Sequence, residues 1–235
     1  MITCEWLGRL GNNMFQIAAT YGLAKTFNET AEFPYFPYFD LPIRKEKVKN
    51  MYVQKDGQNK YIIPNHKENM SIVGFFQKHE YFDHIKEELI KSIFKVPIDY
   101  RPNTICVHVR RGDFLFDPIN FPTQPKSFYL AGLHTIGFEN KKIVFCSDDI
   151  DWCKENFYDL PNVSFREHTT ALSDIYFGAN CEAVVMSNST FSFWMAYLNM
   201  KKRTIVFPLH WFNEDSGRIG YEICPNDWLG LLIKK

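Results

Sequence analysis

Neither sign of charge is in excess in this sequence: 27 lysines and arginines face 27 aspartates and glutamates over 235 residues. Duplex-binding proteins carry a basic surplus, so this balance argues against nucleic acid as the partner. The six cysteines, Cys4, Cys106, Cys146, Cys153, Cys181 and Cys224, include no C-x-x-C pair. A zinc ribbon or a thioredoxin-type redox site therefore has no basis. No H-E-x-x-H occurs, and His79 and His84 miss a shared helical face by one residue. The nucleophile elbow G-x-S-x-G, the phosphate loop G-x-x-x-x-G-K-[ST] and the dinucleotide fingerprint G-x-G-x-x-G are all missing. No apolar run reaches the roughly 18 residues needed to span a bilayer. Met1–Trp6 lacks the basic start and apolar stretch of a secretory signal. The expectation is a soluble, cytoplasmic chain with reduced cysteines packed as small hydrophobes.

What is present is apolar and aromatic: 46% hydrophobic residues, with 22 Phe and 12 Tyr. A chain of this length buries enough surface to fold without disulfide or metal. Residues 2–7 read as a buried strand, Gly8–Asn13 as a glycine loop, and the segment from Met14 as a helix, which is the opening of a βα unit. Residues 31–50 carry Pro34, Pro37 and Pro42 among aromatics and read as irregular. A strand is expected over 70–77 and one helix over 79–95, with Phe82, Ile85, Leu89, Ile93 and Phe94 on a single face. Pro97 and Pro102 flank a short polar connection and mark a boundary between domains at 1–98 and 99–235. Beyond it, strands at 103–110, 142–146, 182–187 and 203–207 alternate with helices at 126–136, 149–157, 171–179 and 190–199. That alternation predicts parallel α/β architecture.

Chemistry concentrates where strands end. His108-Val109-Arg110-Arg111-Gly112-Asp113 follows an apolar strand, and open α/β sheets gather ligands at strand carboxyl ends. Paired guanidinium groups grip phosphate and stay charged. The competing reading is a solvated arginine pair with Asp113 as a structural partner. Ser187-Asn188-Ser189-Thr190-Phe191-Ser192 follows a second strand and opens a helix, whose free N–H groups suit an anion. Simple capping by Asn188 or Ser189 is compatible with that role. Ser147-Asp148-Asp149-Ile150-Asp151 reads foremost as a helix cap with acids in the first turn, and a metal reading is disfavoured because a helix would spread the carboxylates around its axis.

These segments, in this order, resemble glycosyltransferase family 11, the α-1,2-fucosyltransferases. Gly8-Arg9-Leu10-Gly11-Asn12-Asn13-Met14-Phe15-Gln16 is similar to the family's G-x-L-G-N-Q-M-F-Q, and Gly74–Phe82 to its G-Y-F-Q-S-E-K-Y-F. His108–Asp113 resembles H-x-R-R-G-D, Phe145–Trp152 resembles F-S-D-D-x-x-W, Ser187–Trp194 resembles A-N-S-T-F-S-W-W, and Val206–Phe212 resembles A-P-x-x-W-F. Asn13, Ser187 and Phe193 depart from those patterns, and the chain is shorter than most members, with the reduction placed in residues 28–70.

The resemblance implies a GT-B-type fold, two Rossmann-like domains facing a central cleft, the first on the acceptor side and the second binding the donor. It implies GDP-β-L-fucose as donor, no cofactor or metal, and transfer with inversion to a hydroxyl of a galactose-containing glycan. It further implies a soluble microbial or viral type. Arg110 and Arg111 would hold the diphosphate beside His108; Ser189, Thr190 and Phe191 would line the nucleotide pocket; Asp174 would read guanine; Gly11 and Asn12 would face the cleft. Asp113 and Asp117 are both acids near enough in sequence to take the acceptor proton, and Asp113 has the alternative of orienting an arginine. The rival readings are a transferase of the same architecture using another nucleotide sugar and a non-catalytic nucleotide- or glycan-binding relative.

Overall fold

The computed structural model describes residues 1–55, 60–201, 203–213 and 220–233. The chain forms two compact units, Met1–Val96 and Pro97–Lys235.

The first unit is built on a parallel three-stranded sheet, β1 (Ile2–Cys4), β2 (Asn50–Val53) and β3 (Met70–Val73), in the order β1-β3-β2. Single bridges Ile2–Ala31 and Phe33–Ile43 extend it on the β1 side. Helix α1 runs Leu10–Phe27 and buries residues around its whole circumference, as a core helix must. Asn28 ends it in the left-handed region, a conformation asparagine tolerates. The helix begins four residues earlier than its apolar pattern from Met14 suggests. Gly11 and Asn12 therefore sit in its first turn rather than in a loop. The glycine the turn requires is Gly8, which has φ +77° and whose absent Cβ would lie 2.2 Å from Asn12 Nδ2.

The single helix expected over 79–95 is instead a chain of short turns. Two 3₁₀ turns, His79–Tyr81 and Asp83–Ile85, precede an α-turn, α2 (Lys86–Glu88), and a π-turn over Leu89–Ile93. Phe82 breaks the helix with φ −140°, ψ 4°. The break lets consecutive Tyr81 and Phe82 both be buried, Phe82 against Phe15 of α1 and Tyr81 donating its hydroxyl to the Ile62 carbonyl at 2.9 Å. One regular helix would have turned one of the two rings outward.

The second unit holds a six-stranded sheet: β4 (Arg101–Val109), β5 (Lys142–Ser147), β6 (Val163–Phe165), β7 (Cys181–Val185), β8 (Thr204–Pro208) and β9 (Leu229–Leu231). All five pairings are parallel, in the order β6-β5-β4-β7-β8-β9. Counted from β4 this is the doubly wound 3-2-1-4-5-6 arrangement, whose direction of winding reverses between β4 and β7. Helices α3 (Lys126–Ile136), α4 (Ile150–Phe157), α5 (Ala171–Asn180) and α6 (Thr190–Tyr197) supply the crossovers. On one face, Ile105, Val107 and Val109 of β4 pack with Phe128, Tyr129 and Leu133 of α3 and Phe157 of α4. The alternate residue His108 points to the other face, where it meets Ser192 of α6. With both faces covered, residues 105–107 of β4 and 183–185 of β7 are apolar without alternation.

Candidate active site

The winding reversal places the ends of β4 and β7 side by side. Their register pairs Val107 with Val185, so Arg110 and Arg111 leave the sheet next to Ser187–Ser189. The contact that joins them is His108, whose Nδ1 lies 2.5 Å from Ser192 Oγ and 3.0 Å from Ser187 Oγ. The two hydroxyls are 2.9 Å apart. Burial, with Arg110 nearby, pushes the imidazole pKa down to about 3, so His108 is neutral at working pH. Phe191 covers the ring at 5.0 Å. His108 thus fastens the strand end to the start of α6.

The arginine pair is held by Asp113 from its own loop and by Asp148 and Asp149 from the end of β5. Arg110 Nη1 meets Asp148 Oδ2 at 2.7 Å, and its Nη2 meets Asp113 Oδ1 at 2.5 Å. Arg111 donates from Nε to Asp149 Oδ2 at 3.0 Å and lies 4.2 Å from the centroid of Trp152. The Arg111 backbone N–H donates to Asp148 Oδ1 at 2.9 Å. Gly112 makes this approach possible, since a Cβ there would stand 2.5 Å from Asp148 Oδ2. Asp149 also caps α4, accepting from the Trp152 N–H at 3.3 Å. The helix cap expected at Ser147 or Asp148 is instead Asp149, one or two residues later, and sequence reasoning missed that Asp148, Asp149 and Trp152 aim the arginines. The signal was there in the pairing of two strand-end motifs, which only the β4–β5 register reveals.

At β7 the cap of α6 is Ser189, whose Oγ accepts from the Phe191 N–H at 3.2 Å. Asn188 is buried and pins two neighbouring loops: its Nδ2 donates to the Pro122 and Trp211 carbonyls at 2.9 and 2.8 Å, and its Oδ1 accepts from Gln124 at 3.2 Å. Ser189, Thr190 and Phe191 thus stand on a fixed turn at the start of α6, where the Ser189 N–H donates to the Ser187 carbonyl at 2.8 Å.

The remaining expected residues lie in separate hydrogen-bonded groups. Asp174 is in the first turn of α5, held by Arg166 Nε at 2.8 Å and Thr169 Oγ1 at 2.9 Å. Arg166 itself lies 4.4 Å from the centroid of Phe177. Asp117 accepts from Asn120, backbone at 3.3 Å and side chain at 2.9 Å. Gly11 and Asn12 belong to the first unit, where Asn12 Oδ1 accepts from Gln77 at 2.9 Å. Among the described residues no group of three or more His, Cys, Asp or Glu is placed to share a metal ion, and no helix is long and apolar enough to cross a membrane.

The family model for glycosyl transferase family 11 matches residues 45–231. An alpha-1,2-colitosyltransferase of Escherichia coli is 27% identical over 75% of this chain and 67% of its own length. The O-antigen biosynthesis glycosyltransferase WbnK of the same organism is 28% identical over 80% of this chain and 63% of its own length. The match therefore spans about two thirds of these two relatives. A putative galactoside 2-alpha-L-fucosyltransferase of Caenorhabditis elegans is 26% identical over 95% of this chain and 76% of its own. Among solved structures, the fucosyltransferase NodZ from Bradyrhizobium superposes with a TM-score of 0.52 at 13% identity, over 84% of this chain and 93% of that one. POFUT1 in complex with GDP-fucose gives 0.50 at 11%, over 88% and 96%. These likenesses show the fold, α/β of the GT-B type with two Rossmann-like units. With the strand-end motifs assembled on that scaffold and the family model covering most of its length, the chain belongs to glycosyl transferase family 11.

Proposed function

We propose that the chain transfers L-fucose from GDP-β-L-fucose to a galactose hydroxyl of a glycan, O2 of the ring, with inversion and without a metal. The observation that carries this reading is the arginine pair, fixed at the winding reversal beside the N-terminus of α6. Departure of GDP builds negative charge on the β-phosphate. In this reading Arg110, Arg111 and the start of α6 at Thr190 meet that charge and stabilise the transition state. In this reading His108 contributes by holding the two strand ends together, and it lines the donor site with Phe191.

Asp174 offers a carboxylate able to accept from guanine N1–H and N2–H, with Arg166 and Thr169 setting its plane. Asp113 is engaged in orienting Arg110. Asp117 is held in turn by Asn120, so both carboxylates stay candidates for the base that takes the acceptor proton. In this reading the first unit carries the acceptor, and Gly11 and Asn12 contribute from the first turn of α1. A second donor is favoured by one observation: the relative named as a colitosyltransferase implies that the same framework serves another sugar. Such a transferase would keep the nucleotide contacts and change only the sugar.

Calorimetric titration with GDP and UDP in EDTA tests the donor site. GDP-selective binding that is lost in Asp174→Ala is expected; equal affinity for UDP would overturn the guanine assignment. Turnover of GDP-fucose that persists in EDTA is expected as well, and activity restored only by added Mn²⁺ would refute the metal-free mechanism.

A further inference from the structure

The first unit presents an aromatic surface that the donor chemistry leaves unused. Trp6 and Leu7 lie just past the carboxyl end of β1, where α/β proteins place ligands. The segment from Phe33 to Phe39 is tethered near them through the Ile2–Ala31 bridge to β1 and the Phe33–Ile43 bridge beyond it. Trp6 lies 4.7 Å from Phe36 and 6.1 Å from Phe33 between ring centroids, and its indole N–H donates to the Tyr35 carbonyl at 3.1 Å. Phe36 in turn touches Tyr38 at 5.6 Å. On this buried base the rings of Tyr35 and Tyr38 stand out to solvent, 77% and 49% exposed. Pro34, Pro37 and Pro42 stiffen the segment, so little ordering remains to be done on binding.

The margin of the surface is polar and electrically balanced. Arg44 Nη1 pairs with Glu5 Oε1 at 2.8 Å, one guanidinium against one carboxylate, both partly exposed. An anionic ligand would want uncompensated positive charge here, and a greasy one would not want the pair at all. Tyrosine and tryptophan offer rigid, amphipathic contact area at low entropic cost, with a hydroxyl or N–H at the rim. That combination suits a pyranose, which has apolar C–H faces and a belt of hydroxyls.

We propose that Trp6, Tyr35 and Tyr38, with the Glu5–Arg44 pair at their margin, form the platform that binds the acceptor, a neutral glycan ending in a β-galactoside. The assignment rests on the fucosyl-transfer reading for its choice of sugar. Lactose is the probe, added to the full-length protein saturated with GDP. Saturation-transfer NMR is expected to show magnetisation reaching the galactose ring protons in the wild type and to lose it in the double variant Tyr35→Ala/Tyr38→Ala. Tyr35→Phe, which keeps the ring, is expected to retain the signal. In turnover with GDP-fucose, the double variant is expected to raise the lactose KM about tenfold, the scale of one anchoring aromatic, while the donor KM stays unchanged. Thermal melts confirm that the surface substitutions leave the fold intact. A double variant that binds and uses lactose like the wild type overturns the platform while leaving fucosyl transfer standing. Loss of GDP binding and of donor turnover in the wild type overturns the transfer reading instead, and the NMR comparison still decides the platform. Absence of any lactose signal from the wild type also overturns the platform.

Discussion

Arg110 and Arg111 are neighbours in sequence with different holdings: two carboxylates flank the first, and a carboxylate and an indole flank the second. Replacing either by Ala is expected to lower kcat/KM by two or more decades, the scale of a lost donor to developing charge. Arg111→Lys keeps the charge but cannot reproduce the stacked, forked geometry, so its activity is expected to fall well below wild type. Gly112→Ala is expected to reduce turnover too, by displacing Asp148 from both arginines; steady-state kinetics on purified variants decides all three. His108 sets a pH dependence. Its pKa is about 3 folded and about 6.5 unfolded, so the unfolded chain binds the extra proton first. Stability contributed by neutral His108 is therefore complete above about pH 6.5 and is lost as pH falls toward the folded value. Glu29 and Glu182, held below the usual carboxylate range chiefly by hydrogen bonds from the N-terminal amine and from Lys141, add their loss only at lower pH. Melting curves between about pH 6.5 and 4.5 measure that loss by difference, and His108→Asn is expected to flatten the slope relative to the wild type. The arginines were legible from their place after an apolar strand. Their partners Asp148 and Asp149 were not, because they arrive from β5, 37 residues further on, and no local pattern announces a contact across strands.

At the level of elements, long helices and central strands declare themselves through period, and edges do not. The three strands that periodicity passes over, β2, β6 and β9, are all at sheet margins and only three or four residues long. Such shortness protects an edge from pairing with another chain and also removes the alternation a reader needs. Close approach between elements is set by small residues. A Cβ on Gly22 of α1 would sit 1.9 Å from the Tyr81 carbonyl oxygen, and one on Gly178 of α5 would sit 2.7 Å from Met195 Cβ of α6. Gly22→Ala is expected to destabilise the first unit by about 1–3 kcal/mol, because backbone rather than a flexible side chain must move. Denaturant melts read by circular dichroism measure it; an unchanged midpoint would mean that the turn after β3 can withdraw at little cost. The broken helix at 79–93 shows the limit of amphipathic pattern. The apolar stripe was real, but burying Tyr81 and Phe82 together outweighed helical regularity.

Across the whole molecule, the parallel α/β architecture of the second half was legible from alternating strands and helices, whereas two Rossmann-like units followed only from the resemblance carried by six motifs spread from Gly8 to Phe212. GDP is expected to raise the melting temperature of the wild type in a concentration-dependent way, since it binds only the folded state, and to leave Arg110→Ala nearly unmoved; differential scanning fluorimetry compares them. The six parallel strands of the second unit carry a further consequence, which concerns how the protein comes into being. No strand of that sheet can pair with its sequence neighbour through a hairpin; every pairing waits for a crossover. The hydrogen bond between His108 and Ser187 closes a loop of 79 residues, so it belongs to the late events of folding. In the donor reading proposed above, nucleotide affinity would therefore report completed assembly: a nascent or partly refolded chain would display helices without binding GDP.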